Sequence, residues 1–154
     1  MDLLIRQTVY DIMLAAARRV APLEACGLLA GREGHATTCY ELVNADGSSE
    51  HYSMRPEEQF AAAKDMRAKG QKLLAIWHSH PASPARMSDE DLRLAYTPGV
   101  VYVILSLVRP EAPDVRGFVL DEGVAKEVPV TVAEAHDGSA RGAEAGPSDS
   151  RARA

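Results

Sequence analysis

The chain has 154 residues, 46% hydrophobic and 25% charged, with a net charge of -5. That length suits one domain able to bury its own core, and the acidic balance argues against nucleic acid or an anionic membrane as a partner. Two cysteines, Cys26 and Cys39, make neither a disulfide framework nor a CxxC pair and read as reduced thiols of a cytoplasmic protein. No segment approaches the ~20 apolar residues that span a bilayer, and Asp2, Arg6 and Asp11 interrupt any signal-peptide core.

A first helix is expected over residues 4–20, because Ile5, Val9, Ile12, Met13, Ala16 and Val20 fall at helical spacing. Arg18 and Arg19 sit in its last turn, where cations suit the helix dipole, and Pro22 ends it. Residues 26–30 and 37–43 read as the strands of a hairpin around Gly31-Arg32-Glu33-Gly34. Asn44-Ala45-Asp46-Gly47-Ser48-Ser49 is a loop of turn formers, of the kind that borders a site. Pro56 opens a second helix, with Glu57 and Glu58 in its first turn and Lys69-Gly70 at its close.

Residues 72–77 form a short apolar strand that runs into His78-Ser79-His80-Pro81. Ser88 starts a short helix over residues 89–96. Residues 100–108 are nearly continuous in apolar character, as in a central strand covered on both faces. Residues 115–121 and 127–132 read as further strands. Residues 135–154 contain no Leu, Ile, Val, Phe, Tyr or Trp, and are expected to form a disordered tail behind a domain of residues 1–134. The order of elements gives an α/β (α+β) class with a mixed sheet.

Strand side chains alternate between faces, so His78 and His80 point the same way. Two imidazoles on one face can hold one metal ion, and Asp91 can add an oxygen ligand; two His and a carboxylate with an open fourth position is a common catalytic zinc arrangement. A competing reading exists for each residue. A lone His is more often a hydrogen-bonded core residue, and Ser88-Asp89-Glu90-Asp91 also reads as a helix capping box. Ser79 faces the other way and is structural. Trp77 and Tyr102 read as core, while His35, His51 and His136 lack ligand spacing.

The string H-S-H-P, six residues, S, two residues, D resembles the signature of the JAMM (MPN-plus) metalloprotease family, and the likeness covers about residues 4–132. Met87 departs from close bacterial members, which often carry Pro before the Ser, at a position that binds no metal. The resemblance implies a JAB/MPN architecture, a curved mixed sheet flanked by helices and related to the cytidine deaminases. It implies one Zn2+ per chain on His78, His80 and Asp91, with Glu24 as general base and Ser88 as a donor to the developing oxyanion. Composition and periodicity do not select Glu24 over Asp46, Glu41 or Glu50; the resemblance alone does so.

The implied function is that of the small stand-alone bacterial members. They are zinc peptidases or isopeptidases that hydrolyse the amide bond after the C-terminal Gly-Gly of a ubiquitin-like β-grasp sulfur-carrier protein, using a zinc-activated water. The alternatives are a metal-free MPN scaffold that binds proteins, and a deubiquitinase-like protease with another substrate. A nucleobase deaminase needs H-x-E with P-C-x-x-C, which the chain lacks.

Overall fold

The computed structural model describes residues 2–133, so the tail expected at 135–154, with His136, lies outside the described residues. The elements run β1 (Leu3–Arg6), α1 (Gln7–Val20), β2 (Cys26–Arg32), β3 (His35–Leu42), α2 (Pro56–Ala68) and β4 (Lys72–His80). They continue with α3 (Asp89–Leu94), β5 (Val101–Ser106), β6 (Asp114–Asp121), β7 (Val124–Val128) and β8 (Val130–Ala133).

The expected first helix begins late, because residues 3–6 are a strand. Leu3 and Ile5 are buried while Leu4 and Arg6 are half-buried, a two-face alternation too short to stand out against the helical spacing that continues behind it. The strand is held by parallel pairing to β3 and β8, contacts that no local pattern records. The third helix ends at Leu94 instead of residue 96. Tyr96 is 80% exposed, so no burial holds another turn in place.

All eight strands join one sheet in the order β7-β6-β5-β4-β2-β3-β1-β8. It is mixed: β4 runs parallel to β5 and antiparallel to β2. The expected strand over 127–132 is split in two by Pro129, which has no N–H to offer a ladder. Its two halves pair at opposite ends of the strand order, so the sheet curls until it nearly closes. The Pro129 carbonyl accepts from the Leu3 N–H at 3.0 Å in the β1–β8 ladder, at the edge of that closure. Gly117 on β6 permits it, since a Cβ there would strike Val130 of β8 and Val101 of β5.

Helix α1 packs Val9, Met13, Ala16 and Ala17 inside the curl, against Leu29, Ala75, Trp77, Val101, Val103 and Leu105. Helix α2 covers the outer face, where Ala62 and Met66 meet Leu28, Ala30 and Tyr40, with Ile76 alongside. Every residue of β5 is buried, as expected of a strand covered on both faces. Along β4, Ala75 and Trp77 face α1 while Ile76 faces outward. His78 and His80 continue the outward row by strand parity.

Candidate metal centre

Strand β4 is hydrogen-bonded on both sides up to its last residues, with His78 opposite Cys26 of β2 and Ile104 of β5, and His80 opposite Ser106. The two imidazoles are 1% and 4% exposed, and their Nε2 atoms lie 3.2 Å apart. His80 Nδ1 is 2.7 Å from the Pro84 carbonyl, which can only accept. That nitrogen therefore carries a proton, and His80 Nε2 is the ring atom turned to the site, 3.1 Å from Asp91 Oδ2.

Asp91 arrives from the first turn of α3 and is 6% exposed. Its Oδ2 lies 3.1 Å from His80 Nε2 and 3.3 Å from His78 Nε2. The same oxygen accepts the Ser88 N–H at 3.0 Å, while Ser88 Oγ accepts the Asp91 N–H at 3.0 Å. The capping box and the ligand reading thus coexist: the cap is the mount that aims this carboxylate at the histidines.

Glu24 lies between α1 and β2, and three ties fix its backbone. Its N–H donates to Ser48 O at 2.8 Å, its carbonyl accepts from Asn44 Nδ2 at 3.0 Å, and the next residue, Ala25, donates to Ser79 Oγ at 2.8 Å. Ser79 N also donates to Ala25 O at 2.9 Å. The serine between the two histidines is therefore structural, and it pins the segment that carries Glu24. Glu24 is 3% exposed, offers an oxygen within 4.8 Å of His78 and His80 ring nitrogens, and has a buried Oε1 without a hydrogen-bond partner. The rival carboxylates are engaged elsewhere or exposed. Glu41 pairs with Arg19, Asp46 accepts from Ser53 and contacts His51, and Glu50 is exposed.

Burial separates the protonation of these groups. It pushes the Glu24 carboxyl up to about 7, against the pull of His80 and with the repulsion of Asp91. Asp91 feels the same penalty, yet hydrogen bonds to His78 and His80 outweigh it and hold its carboxyl well below the usual range. Burial also lowers the affinity of His78 for a second proton. At His80 burial acts in that direction too, but Asp91 and the Pro84 carbonyl raise it on balance.

His78 Nε2, His80 Nε2 and Asp91 Oδ2 form a triangle with edges of 3.1, 3.2 and 3.3 Å. A tetrahedral zinc with nitrogen and oxygen ligands at about 2.0–2.1 Å requires edges of about 3.3 Å. Three buried acceptors facing one another need a cation or protons between them, so the donor set fits zinc. Cys26, across from His78, is no rival ligand: burial pushes its thiol up to about 12, and its Sγ contacts Leu42 O at 3.7 Å.

Two residues here carry no sequence signal. Tyr52 stacks on His78, with ring centroids 4.7 Å apart and planes at 27°. Asn44 Nδ2 also donates to His51 O at 3.0 Å, and Asn44 Oδ1 accepts from Asp46 N and Ser53 N at 3.0 and 3.3 Å. The loop of turn formers was the one hint that residues 44–53 border the site. His35 is exposed on β3 and His51 is half-exposed. Trp77 and Tyr102 are buried, as expected of core residues.

The family described as prokaryotic homologs of the JAB domain matches residues 6–121. The chain belongs to this family. The JAB-domain chain is 35% identical over 134 residues to the CysO-cysteine peptidase of Mycobacterium tuberculosis, covering 86% of this chain and 92% of that protein. It is 38% identical over 106 residues to a probable TtuB-protein conjugate cleaving protease of Thermus thermophilus, covering 68% and 67%. It is 32% identical over 103 residues to a desampylase of Haloferax volcanii, covering 62% and 74%. Among solved structures, protein DSY2949 of Desulfitobacterium hafniense superposes with a TM-score of 0.80 at 43% identity, covering 87% and 94% of the two chains. The JAB1/MPN domain protein AF2198 of Archaeoglobus fulgidus superposes at 0.53 with 22% identity, covering 84% and 99%, a likeness of fold alone. The JAB/MPN architecture expected from the sequence is the fold of this chain.

Proposed function

We propose that this JAB-domain protein is a zinc-dependent peptidase that hydrolyses the amide bond after the C-terminal Gly-Gly of a ubiquitin-like sulfur-carrier protein. The observation that carries this reading is the convergence of two imidazoles and two carboxylates, all buried, at the end of β4. The names of the relatives, a CysO-cysteine peptidase, a desampylase and a probable TtuB-protein conjugate cleaving protease, support it.

His78, His80 and Asp91 would hold one zinc ion. When bound there, zinc acts as a Lewis acid and lowers the pKa of a water to about 7. Glu24 takes a proton from the attacking water on Oε1, the oxygen left without a partner, and returns it to the leaving nitrogen. In the metal-free chain burial raises this carboxyl to about 7. Ser88 is exposed beside Asp91, and its oxygen already accepts the Asp91 N–H. Its own hydrogen is left to donate to the oxyanion that develops on the scissile carbonyl. A Gly-Gly tail has no side chains and can lie extended in a narrow groove, with residues 44–53 as one wall. We place the protein in the cytoplasm, where cysteines outside disulfides, such as Cys26 and Cys39, persist as thiols.

The test is incubation of the zinc-loaded full chain with small β-grasp carriers extended by a cysteine or short peptide beyond Gly-Gly, read by intact mass. Loss of the extension is expected, and both a chelator and Glu24→Gln should prevent it. Extensions that survive intact would overturn the carrier reading. The names of the Thermus and Haloferax relatives favour a second reading, cleavage of isopeptide conjugates. A carrier joined to a lysine side chain, run in parallel, separates the two. A chain that refuses added zinc would favour the metal-free scaffold.

A further inference from the structure

The two histidines of the site are held in different ways. His80 is locked by its Nδ1 bond to the Pro84 carbonyl. His78 has no such lock: its Nδ1 is buried and has no hydrogen-bond partner. A ligating imidazole ordinarily donates its second N–H to an acceptor, and that bond fixes the ring plane and the tautomer. The aromatic rings against His78 are Tyr52, stacked at 4.7 Å and 27°, and His80, at 5.0 Å and tilted by 59°.

Tyr52 joins none of the hydrophobic clusters of the described residues. It is delivered by a polar loop whose shape is set by side-chain hydrogen bonds. Asn44 bonds the backbone of Ser48, His51, Asp46 and Ser53, and Asp46 accepts from Ser53 Oγ and contacts His51 Nδ1, each at 2.8 Å. The same Asn44 amide holds the Glu24 carbonyl. One residue thus ties the backbone of the proposed base to the loop that covers a proposed ligand.

We propose that Tyr52 is a positioning residue for the metal centre: its ring fixes the plane of the His78 imidazole, the task that the Pro84 carbonyl performs for His80. This rests on the reading of His78 as a zinc ligand. The face of the ring does the work, and the hydroxyl is dispensable.

The test measures zinc affinity of the full chain by competition with a chromophoric chelator, alongside the absorption spectrum of the cobalt-substituted protein. Tyr52→Phe should bind zinc within about twofold of wild type. Tyr52→Leu and Tyr52→Met should lose tenfold or more, as outer partners of metal ligands do, and show an altered cobalt spectrum. Cooperative melting of the metal-free variants checks that they fold. Should Tyr52→Leu not fold, Tyr52→Met, which is longer and still apolar, decides. A folded non-aromatic variant that binds zinc as tightly as wild type overturns the proposal, as does a loss in Tyr52→Phe equal to that in Tyr52→Met. A wild-type chain that itself takes no zinc overturns the metal reading instead.

Discussion

Each polar side chain at the end of β4 has a distinct job, so single substitutions should separate them. Glu24→Gln keeps size and the proposed metal ligands but removes the proposed base, and should cut kcat by about 10²–10⁴-fold while zinc content stays at one per chain. Asp91→Ala should reduce zinc affinity strongly, whereas loss of its helix-cap role alone would cost only about 1 kcal/mol of stability. Unchanged zinc affinity would return Asp91 to the cap. The raised carboxyl of Glu24 also links stability to pH. Its folded-state value of about 7 lies above the ordinary 4.5, so the folded chain without metal holds this proton more tightly than the unfolded chain. Stability from this group is therefore present below pH 4.5 and lost as pH rises to about 7. In chelator, Glu24→Gln should melt above wild type at pH 8, and the two should converge near pH 4.5. A constant gap across that range would contradict the assignment. Strand parity placed His78 and His80 on one face, and the capping box placed Asp91 in the first turn of α3, because both are local rules. Glu24 was reached only through the family resemblance, since Ser48, Asn44 and Ser79 bring it in from distant parts of the chain.

At the scale of elements, the site depends on how β2 meets β4. Ser79 closes that junction through its side chain, accepting the Ala25 N–H at a fully buried position. Ser79→Ala leaves a buried donor unpaired and should cost about 1–3 kcal/mol in denaturant unfolding. It should also lower kcat, because Ala25 adjoins Glu24; a variant of wild-type stability would show the bond to be dispensable. Gly27, one residue into the ladder from Cys26, has no room for a Cβ against the Tyr40 carbonyl and the Trp77 indole. Gly27→Ala should therefore destabilise by about 3 kcal/mol, the upper part of the range for overpacking. Sequence patterns located β4, β5 and α2 because apolar runs, Pro56 and Lys69-Gly70 mark them. They missed β1 because four residues with two buried positions carry too little alternation to oppose a helical run.

For the whole molecule, closure of the sheet wraps one layer around α1 and leaves the outer face free for α2, α3 and the site. That closure was invisible in sequence, since it depends on Pro129 breaking a strand and on Gly117 letting β8 approach β6. Among the described residues no helix is long and apolar enough to cross a membrane. The central claim is that the two imidazoles and Asp91 close on a single zinc ion. Anomalous diffraction at the zinc edge, from crystals of the full chain grown with the metal, tests it most directly. One peak per chain is expected, bonded to His78 Nε2, His80 Nε2 and Asp91 Oδ2 at about 2.0–2.2 Å. A peak elsewhere, or none between these three atoms with zinc in excess, would contradict it.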